Sequence, residues 1–126
     1  MAICPRSGAA VSHTGQHLLL DLYGASHLTN ADYIQKACED ASLATGATIL
    51  QSMFHHFGGE YGVTGVIMLS SSHCSIHTWP EFGTACIDVF VCDGDDPLKA
   101  IAVFEERFKP EKMVQSYHRR GVVDEA

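Results

Sequence analysis

Serine, histidine and tryptophan side chains are concentrated in one segment, LSSSHCSIHTWPEFG, at residues 69–83. These residue types suggest a metal bound by His73 and His77, a serine nucleophile with a histidine base, or turn serines beside half-buried histidines. A zinc site is disfavoured because the segment alternates like a strand. Four residues along a strand span about 13 Å, too far for both rings to bind one ion. No acidic partner completes an H-E-x-x-H pattern either.

A serine hydrolase is also disfavoured as the source of this pattern. The chain lacks the G-x-S-x-G motif and the strand, sharp turn and helix that would present such a nucleophile. The plainer alternative is that Ser70, Ser71 and Ser72 form a turn while His73 and His77 are strand histidines bonded to neighbours. On residue types alone, that alternative stays open.

The elements around this segment follow from the hydrophobic pattern. Asn30 is typical of a helix N-cap, and small or apolar residues then recur at helical spacing until Gly46; Pro97 suits the first turn of a second helix over 97–108. Strands are predicted at residues 16–24, 47–57, 63–70, 73–79, 83–92 and 112–118. This order predicts an α+β fold, a two-layer sandwich of a mainly antiparallel sheet with two helices on one face. The other face is left for a partner, so we expect a dimer.

Composition limits the classes of protein that fit. The 126 residues are 46% apolar and 18% charged, with a formal charge of −7. We expect a flexible leader over residues 1–14 and one domain over 15–126. The acidic balance excludes a nucleic-acid partner, and no apolar run reaches the roughly 20 residues of a membrane span. Five cysteines without a C-x-x-C pair indicate thiols in a reducing compartment, so a cytoplasmic location is expected.

Four motifs carry a resemblance to a known family: GVTGV at 62–66, SSH at 71–73, IHTWPE at 76–81 and DVFVC at 88–92. Their order and near-constant spacing resemble the prokaryotic S-adenosylmethionine decarboxylases, small pyruvoyl-dependent enzymes of polyamine synthesis. The likeness covers about residues 15–120. It implies a small-molecule substrate and a homodimer of cleaved αβ protomers.

The resemblance implies that the chain cuts itself between Ser71 and Ser72. The Ser72 hydroxyl would attack the Ser71 carbonyl, and elimination followed by hydrolysis would convert Ser72 into the pyruvoyl cofactor. No metal is expected to take part. The pyruvoyl group would then act as an electron sink for decarboxylation, as pyridoxal phosphate does elsewhere.

Five further residues receive roles from the resemblance. His77 would accept a proton during processing and Thr64 would supply a processing hydroxyl, while Cys92 would donate a proton to the decarboxylated substrate. Substrate would be bound by Glu81, through ribose hydroxyls, and by Phe57, through stacking on adenine. Because Ser72 and His77 are five residues apart, a regular strand would place them on opposite faces.

One departure from the family pattern bears on substrate. Ser71 stands where the family usually has a glutamate, so a carboxylate that would face a cationic ligand is missing. S-adenosylmethionine is the expected substrate, with arginine or ornithine as alternatives. A further alternative is an unprocessed homologue with a binding or regulatory role.

Overall fold

Six strands form one antiparallel sheet in the computed structural model, which describes residues 13–123. The order across the sheet is β2-β3-β4-β5-β1-β6. The strands are β1 (His13–Tyr23), β2 (Ile49–His56), β3 (Val63–Leu69), β4 (Ser72–Trp79), β5 (Thr84–Cys92) and β6 (Lys112–Val122). The helices are α1 (Ala31–Ala44) and α2 (Ala100–Phe108).

Both helices pack against the same face of the sheet, where the core lies. Alternate residues of β1 and β5 point into this core, and α1 buries one stripe while α2 contributes two aromatic rings. The buried side chains include Leu18, Leu20, Leu22, Ile34, Ile76, Ile87, Val89, Phe104 and Phe108. This arrangement confirms the predicted α+β sandwich with two helices on one face.

Local signals fix where the helices begin and end. Oδ1 of Asn30 accepts a hydrogen bond from the backbone N–H of Tyr33 at 3.1 Å, as an N-cap should. Helix α1 ends at Ala44, and Gly46 follows with φ of 99°. Before α2, residues Pro97–Lys99 form a short 3₁₀ turn, so the α-helix proper begins three residues later than predicted.

β1 and β6, the last two strands at one edge of the sheet, are longer than predicted. β1 begins at His13, inside the segment predicted as a leader, because His13 pairs with Val122 and its imidazole lies 3.0 Å from Asp93. β1 therefore begins three residues before its predicted start at residue 16; residues 1–12 of the expected leader lie outside the described range. β6 continues to Val122 rather than 118, paired with β1 along most of its length.

The second face of the sheet carries no helix in the described residues. Several large apolar side chains on it are exposed to solvent, among them Leu19, Met53, Val66, Met68 and Val114. An uncovered apolar sheet face of this kind is typical of an interface. None of the helices in the described range is long and apolar enough to cross a membrane.

Candidate active site

The predicted cleavage position lies in a two-residue turn between β3 and β4. Ser70 and Ser71 connect the strands, and Leu69 pairs with Ser72. Ser71 has φ of 58°, in the left-handed region that residues other than glycine, asparagine and aspartate rarely adopt. Ser70 is held by its N–H, which donates to the Thr48 carbonyl at 2.9 Å. The strained residue is therefore the one that directly precedes Ser72.

Ser72 and Cys92 lie together at this end of the sheet. The backbone N–H of Cys92 donates to Oγ of Ser72 at 3.3 Å. Cys92 is disulfide-bonded, so the prediction that the cysteines are free thiols is wrong for this residue. Its sulfur lies 3.6 Å from Oδ2 of Asp95, a carboxyl whose pKa is raised by burial. Ser71, Ser72 and Cys92 thus form one group, called here the cleavage-end group.

Gln16, which sequence reasoning missed, holds the loop that follows Cys92. Its Nε2 donates to the carbonyls of Asp95 at 2.7 Å and of Cys92 and Asp93 at 3.4 Å. The Tyr117 hydroxyl donates to Oε1 of Gln16 at 2.7 Å. Because carbonyls only accept hydrogen bonds, these contacts define the orientation of the amide.

Thr64 and His77 lie together at the opposite end of β3 and β4. They face each other in the register of the two strands, and Oγ1 of Thr64 lies 3.2 Å from Nδ1 of His77. A cleft of about 460 Å³ opens beside them, and Phe57 and Glu81 also line it. These four residues are called here the cleft group. The structure brings Thr64 and His77, two of the predicted processing residues, beside the predicted substrate-binding residues, but it does not bring Ser72 there.

Buried contacts around Thr78 hold the cleft group in place. The Thr78 hydroxyl accepts from the N–H of Val63 at 2.9 Å and donates to the carbonyl of Leu28 at 2.7 Å. Gly62 packs so closely that a Cβ there would lie 1.9 Å from the Thr78 carbonyl oxygen. Gly62, the first glycine of the GVTGV segment, is therefore required because the backbone of Thr78 approaches it too closely for a side chain.

The two groups do not meet within one chain. Ser72 and His77 are five positions apart on β4, which corresponds to roughly 16 Å along a strand. The two residues also have opposite parity: Cys74 and Ile76 face the helices with Ser72, whereas His77 points to the uncovered face. The opposite-face placement expected from their spacing is confirmed.

A cluster of polar side chains on the uncovered face was not found from the sequence. Oδ2 of Asp88 lies 2.6 Å from Nε2 of His17 and 2.9 Å from Nε2 of His73, and Ser75 donates to Oδ1. Burial alone would raise the pKa of Asp88, but the hydrogen bonds from His73, Ser75 and His17 hold it far below its usual value. The pKa of His73 is raised because its imidazole is hydrogen-bonded to Asp88. We call this set the Asp88 cluster.

The Asp88 cluster has the ligand types of a metal site, but its hydrogen bonds oppose that use. Nη1 of Arg120 lies 2.9 Å from Nδ1 of His17. A guanidinium only donates, so Nδ1 of His17 accepts and its Nε2 carries the hydrogen that faces Asp88. With a proton on Nε2, His17 has no lone pair to offer an ion there. The cluster as it stands is a hydrogen-bonded one.

Comparisons with known proteins agree on one family. The family model described as S-adenosylmethionine decarboxylase matches residues 16–121. The S-adenosylmethionine decarboxylase proenzyme of Thermosipho melanesiensis is 40% identical over 114 residues, covering 88% of this chain and 87% of the relative. That of Fervidobacterium nodosum is 42% identical over 114 residues, covering 88% and 82%.

A solved structure agrees with these relatives. The crystal structure of the adenosylmethionine decarboxylase from Aquifex aeolicus superposes with a TM-score of 0.81 at 34% identity, covering 92% of this chain and 98% of that one. The fold and the sequence matches along nearly the whole length therefore indicate the same family. The chain belongs to the S-adenosylmethionine decarboxylase family.

Proposed function

We propose that this chain is a proenzyme that cleaves itself between Ser71 and Ser72 and then decarboxylates S-adenosylmethionine for polyamine synthesis. The observation that carries the proposal is the left-handed conformation of Ser71, which bends the chain at the peptide bond that would be cut. Proenzyme is also the name of the bacterial relatives. Self-cleavage at this bond would release the backbone strain at Ser71.

Processing would use atoms that the turn already brings together. Oγ of Ser72 attacks the Ser71 carbonyl and replaces its own nitrogen, which converts the peptide bond into an ester. Removal of the Cα proton of residue 72 expels the Ser71 carboxylate and leaves dehydroalanine. Water then releases ammonia and produces the pyruvoyl group at the new N-terminus, with no metal required.

The residues around position 72 suit such a group. Ser72 is half-buried, and the Cys92 N–H already donates to its side-chain oxygen. The pyruvoyl group would supply an electron sink for the electron pair left when CO2 departs. Cys92 would donate a proton to the substrate carbon once its disulfide bond is reduced to a thiol.

The cleft group would serve base and binding functions. The imidazole of His77, oriented by Thr64, is suited to accept the Cα proton of residue 72. Glu81 would accept hydrogen bonds from ribose hydroxyls, and the exposed ring of Phe57 would stack on the adenine.

These roles require the cleavage-end group of one chain to meet the cleft group of another. The sheet face between them is uncovered in the described residues and carries exposed Met53, Val66 and Met68. A two-fold dimer through this face uses the same patch on both protomers and would form two equivalent sites. We therefore propose a homodimer of cleaved αβ protomers with shared active sites.

Denaturing mass spectrometry of the purified chain tests cleavage. We expect two fragments separating at Ser71 and Ser72, with the second fragment carrying pyruvoyl. Ser72→Ala should stay intact, while the matched variant Ser70→Ala should still be cut. An intact wild-type chain would contradict the proposal and favour a non-catalytic homologue.

Substrate is tested separately, by release of labelled CO2 in the presence of a thiol reductant. S-adenosylmethionine, arginine and ornithine are compared at equal concentration with the cleaved protein. We expect release from S-adenosylmethionine alone. Release from arginine or ornithine would mean that Ser71, in place of the family glutamate, marks a changed substrate.

A further inference from the structure

We infer that His73 anchors the new N-terminus: the Asp88 cluster and Phe90 hold its imidazole so that residue 72 stays beside Cys92 after the chain is cut. This inference rests on the proposed function, since it assigns a task that begins only with cleavage. It makes His73 a positioning residue. Neither the resemblance nor the metal alternative gave this histidine a role.

Cleavage would break one of the two peptide bonds that hold residue 72 in the chain. In the uncut chain the turn and β3 hold it from one side, through the Ser71 peptide bond. Afterwards its remaining covalent link is the peptide bond to His73, and a free chain end frays unless it is tied down. Position matters here, because displacing a reacting group by about 1 Å can slow a reaction up to about a hundredfold.

His73 is held by three contacts that lie on the far side of the cut. Its Nε2 is 2.9 Å from Oδ2 of Asp88. Its ring stacks on Phe90, with centroids 5.7 Å apart and planes 11° from parallel, and His17 contributes an edge contact at 5.9 Å. Asp88 and Phe90 belong to β5, and His17 to β1, so cutting between β3 and β4 leaves all three in place.

The groups behind these contacts are themselves fixed. Asp88 also accepts hydrogen bonds from His17 and Ser75, and Arg120 on β6 contacts both Nδ1 of His17 and the ring of Phe90. The anchor therefore extends across β4, β5, β1 and β6. Backbone pairing would be sufficient for a strand end that only completed the sheet, so a side-chain cluster spanning four strands would not be required.

The test compares three variants with one control in the cleaved enzyme. His73→Phe keeps the ring on Phe90 but loses the donor, and Asp88→Asn removes the charged acceptor. His73→Gln loses the ring but restores a donor near the position of Nε2. The control is His118→Phe, which removes a histidine from the same sheet face that is hydrogen-bonded to Ser116.

We expect kcat per pyruvoyl to fall about tenfold in His73→Phe and Asp88→Asn, with KM changed less than about twofold. His73→Gln should recover much of the loss, and the control should behave as wild type. Hydrogen exchange at residues 73–75 of the cleaved protein should rise in the first two variants and not in the control. This second measurement does not depend on activity.

The outcomes separate the anchor from the proposed function. If the wild-type chain is not cut, both are overturned. If it is cut and active but the His73 and Asp88 variants match wild type in kcat and exchange, the anchor is wrong and the proposed function stands. A thermal unfolding scan of each variant identifies loss of folding, and a fall in kcat that follows only the loss of folded protein also overturns the anchor.

Discussion

Ser71 concentrates backbone strain at the bond next to Ser72. A serine at φ of 58° is less stable than glycine there by roughly 1–2 kcal/mol. That energy would be released when the turn opens, so it favours cleavage over the intact chain. An unstrained residue at this position would therefore make cleavage less favourable.

We therefore expect Ser71→Gly to slow self-cleavage while stabilising the uncut protein. Glycine adopts the left-handed conformation without a steric penalty, although it also gains entropy in the unfolded chain, so the net gain is about 1 kcal/mol or less. The fraction cut is followed over time by denaturing mass spectrometry. Faster cleavage in the glycine variant would show that strain at Ser71 does not assist the reaction.

His73 and Asp88 predict a pH dependence of stability. The folded-state pKa of His73 is raised, so its contribution is complete below its unfolded value of about 6.5 and is lost as pH rises through the higher folded value. The pKa of Asp88 is lowered, so its contribution is present above about pH 3.9 and is lost in acid.

We expect His73→Phe to reduce the free energy of unfolding more at pH 5.5 than at pH 8.5. The imidazolium exists at the lower pH, where Asp88 remains a carboxylate. Urea unfolding of the uncut Ser72→Ala background measures both values, with His118→Phe as the control. An equal cost at both pH values would contradict the raised pKa of His73.

At the scale of elements, one hydroxyl joins three segments. Thr78 on β4 bonds the first residue of β3 and the loop before α1 through Val63 and Leu28. Both partners are buried, so neither can turn to water if the hydroxyl is lost. The cleft group depends on this connection because Thr64 and His77 flank it.

We expect Thr78→Val to reduce the free energy of unfolding by roughly 2–4 kcal/mol, since the shape is kept while a buried donor and a buried acceptor lose their partner. Thr84→Val is the matched control, because its hydroxyl donates to the Phe82 carbonyl in an exposed position. Urea unfolding monitors both variants. A similar small loss in the two variants would mean that the Thr78 bonds contribute little.

Elements of this fold could be predicted because their signals are local. Period-two alternation identifies β5, and Asn30 identifies the start of α1. The Asp88 cluster could not be found this way, because His17, His73 and Asp88 come from three strands whose neighbours are fixed only by the sheet order. The separation of Ser72 from His77 was visible in their spacing, but which residues each one meets depends on pairing between distant strands.

At the scale of the whole molecule, the uncovered sheet face and the divided site both indicate that a second protomer is required. One protomer has the cleavage-end group and the cleft group about 16 Å apart along β4. Each is incomplete alone for the proposed reaction. A shared site makes activity depend on dimerisation. It also predicts that two variants with different defects can restore activity together, which a site within one chain would not allow.

We expect two inactive variants to restore activity when they are combined. Cys92→Ser damages the cleavage-end group and Glu81→Gln the cleft group, so a mixed dimer keeps one intact site and one doubly damaged site. When equal amounts of the two variants are coexpressed, about half of the dimers are mixed, so activity should reach about a quarter of wild type.

The control uses either variant alone, expressed at the same total level and checked for cleavage and dimer mass by analytical ultracentrifugation. Each should remain near background, since every dimer then carries the same defect in both sites. Two sites contained within single protomers would give no recovery in the mixture, because each chain would still carry its own defect. Recovery near one quarter would therefore place Cys92 and Glu81 of different chains in one active site.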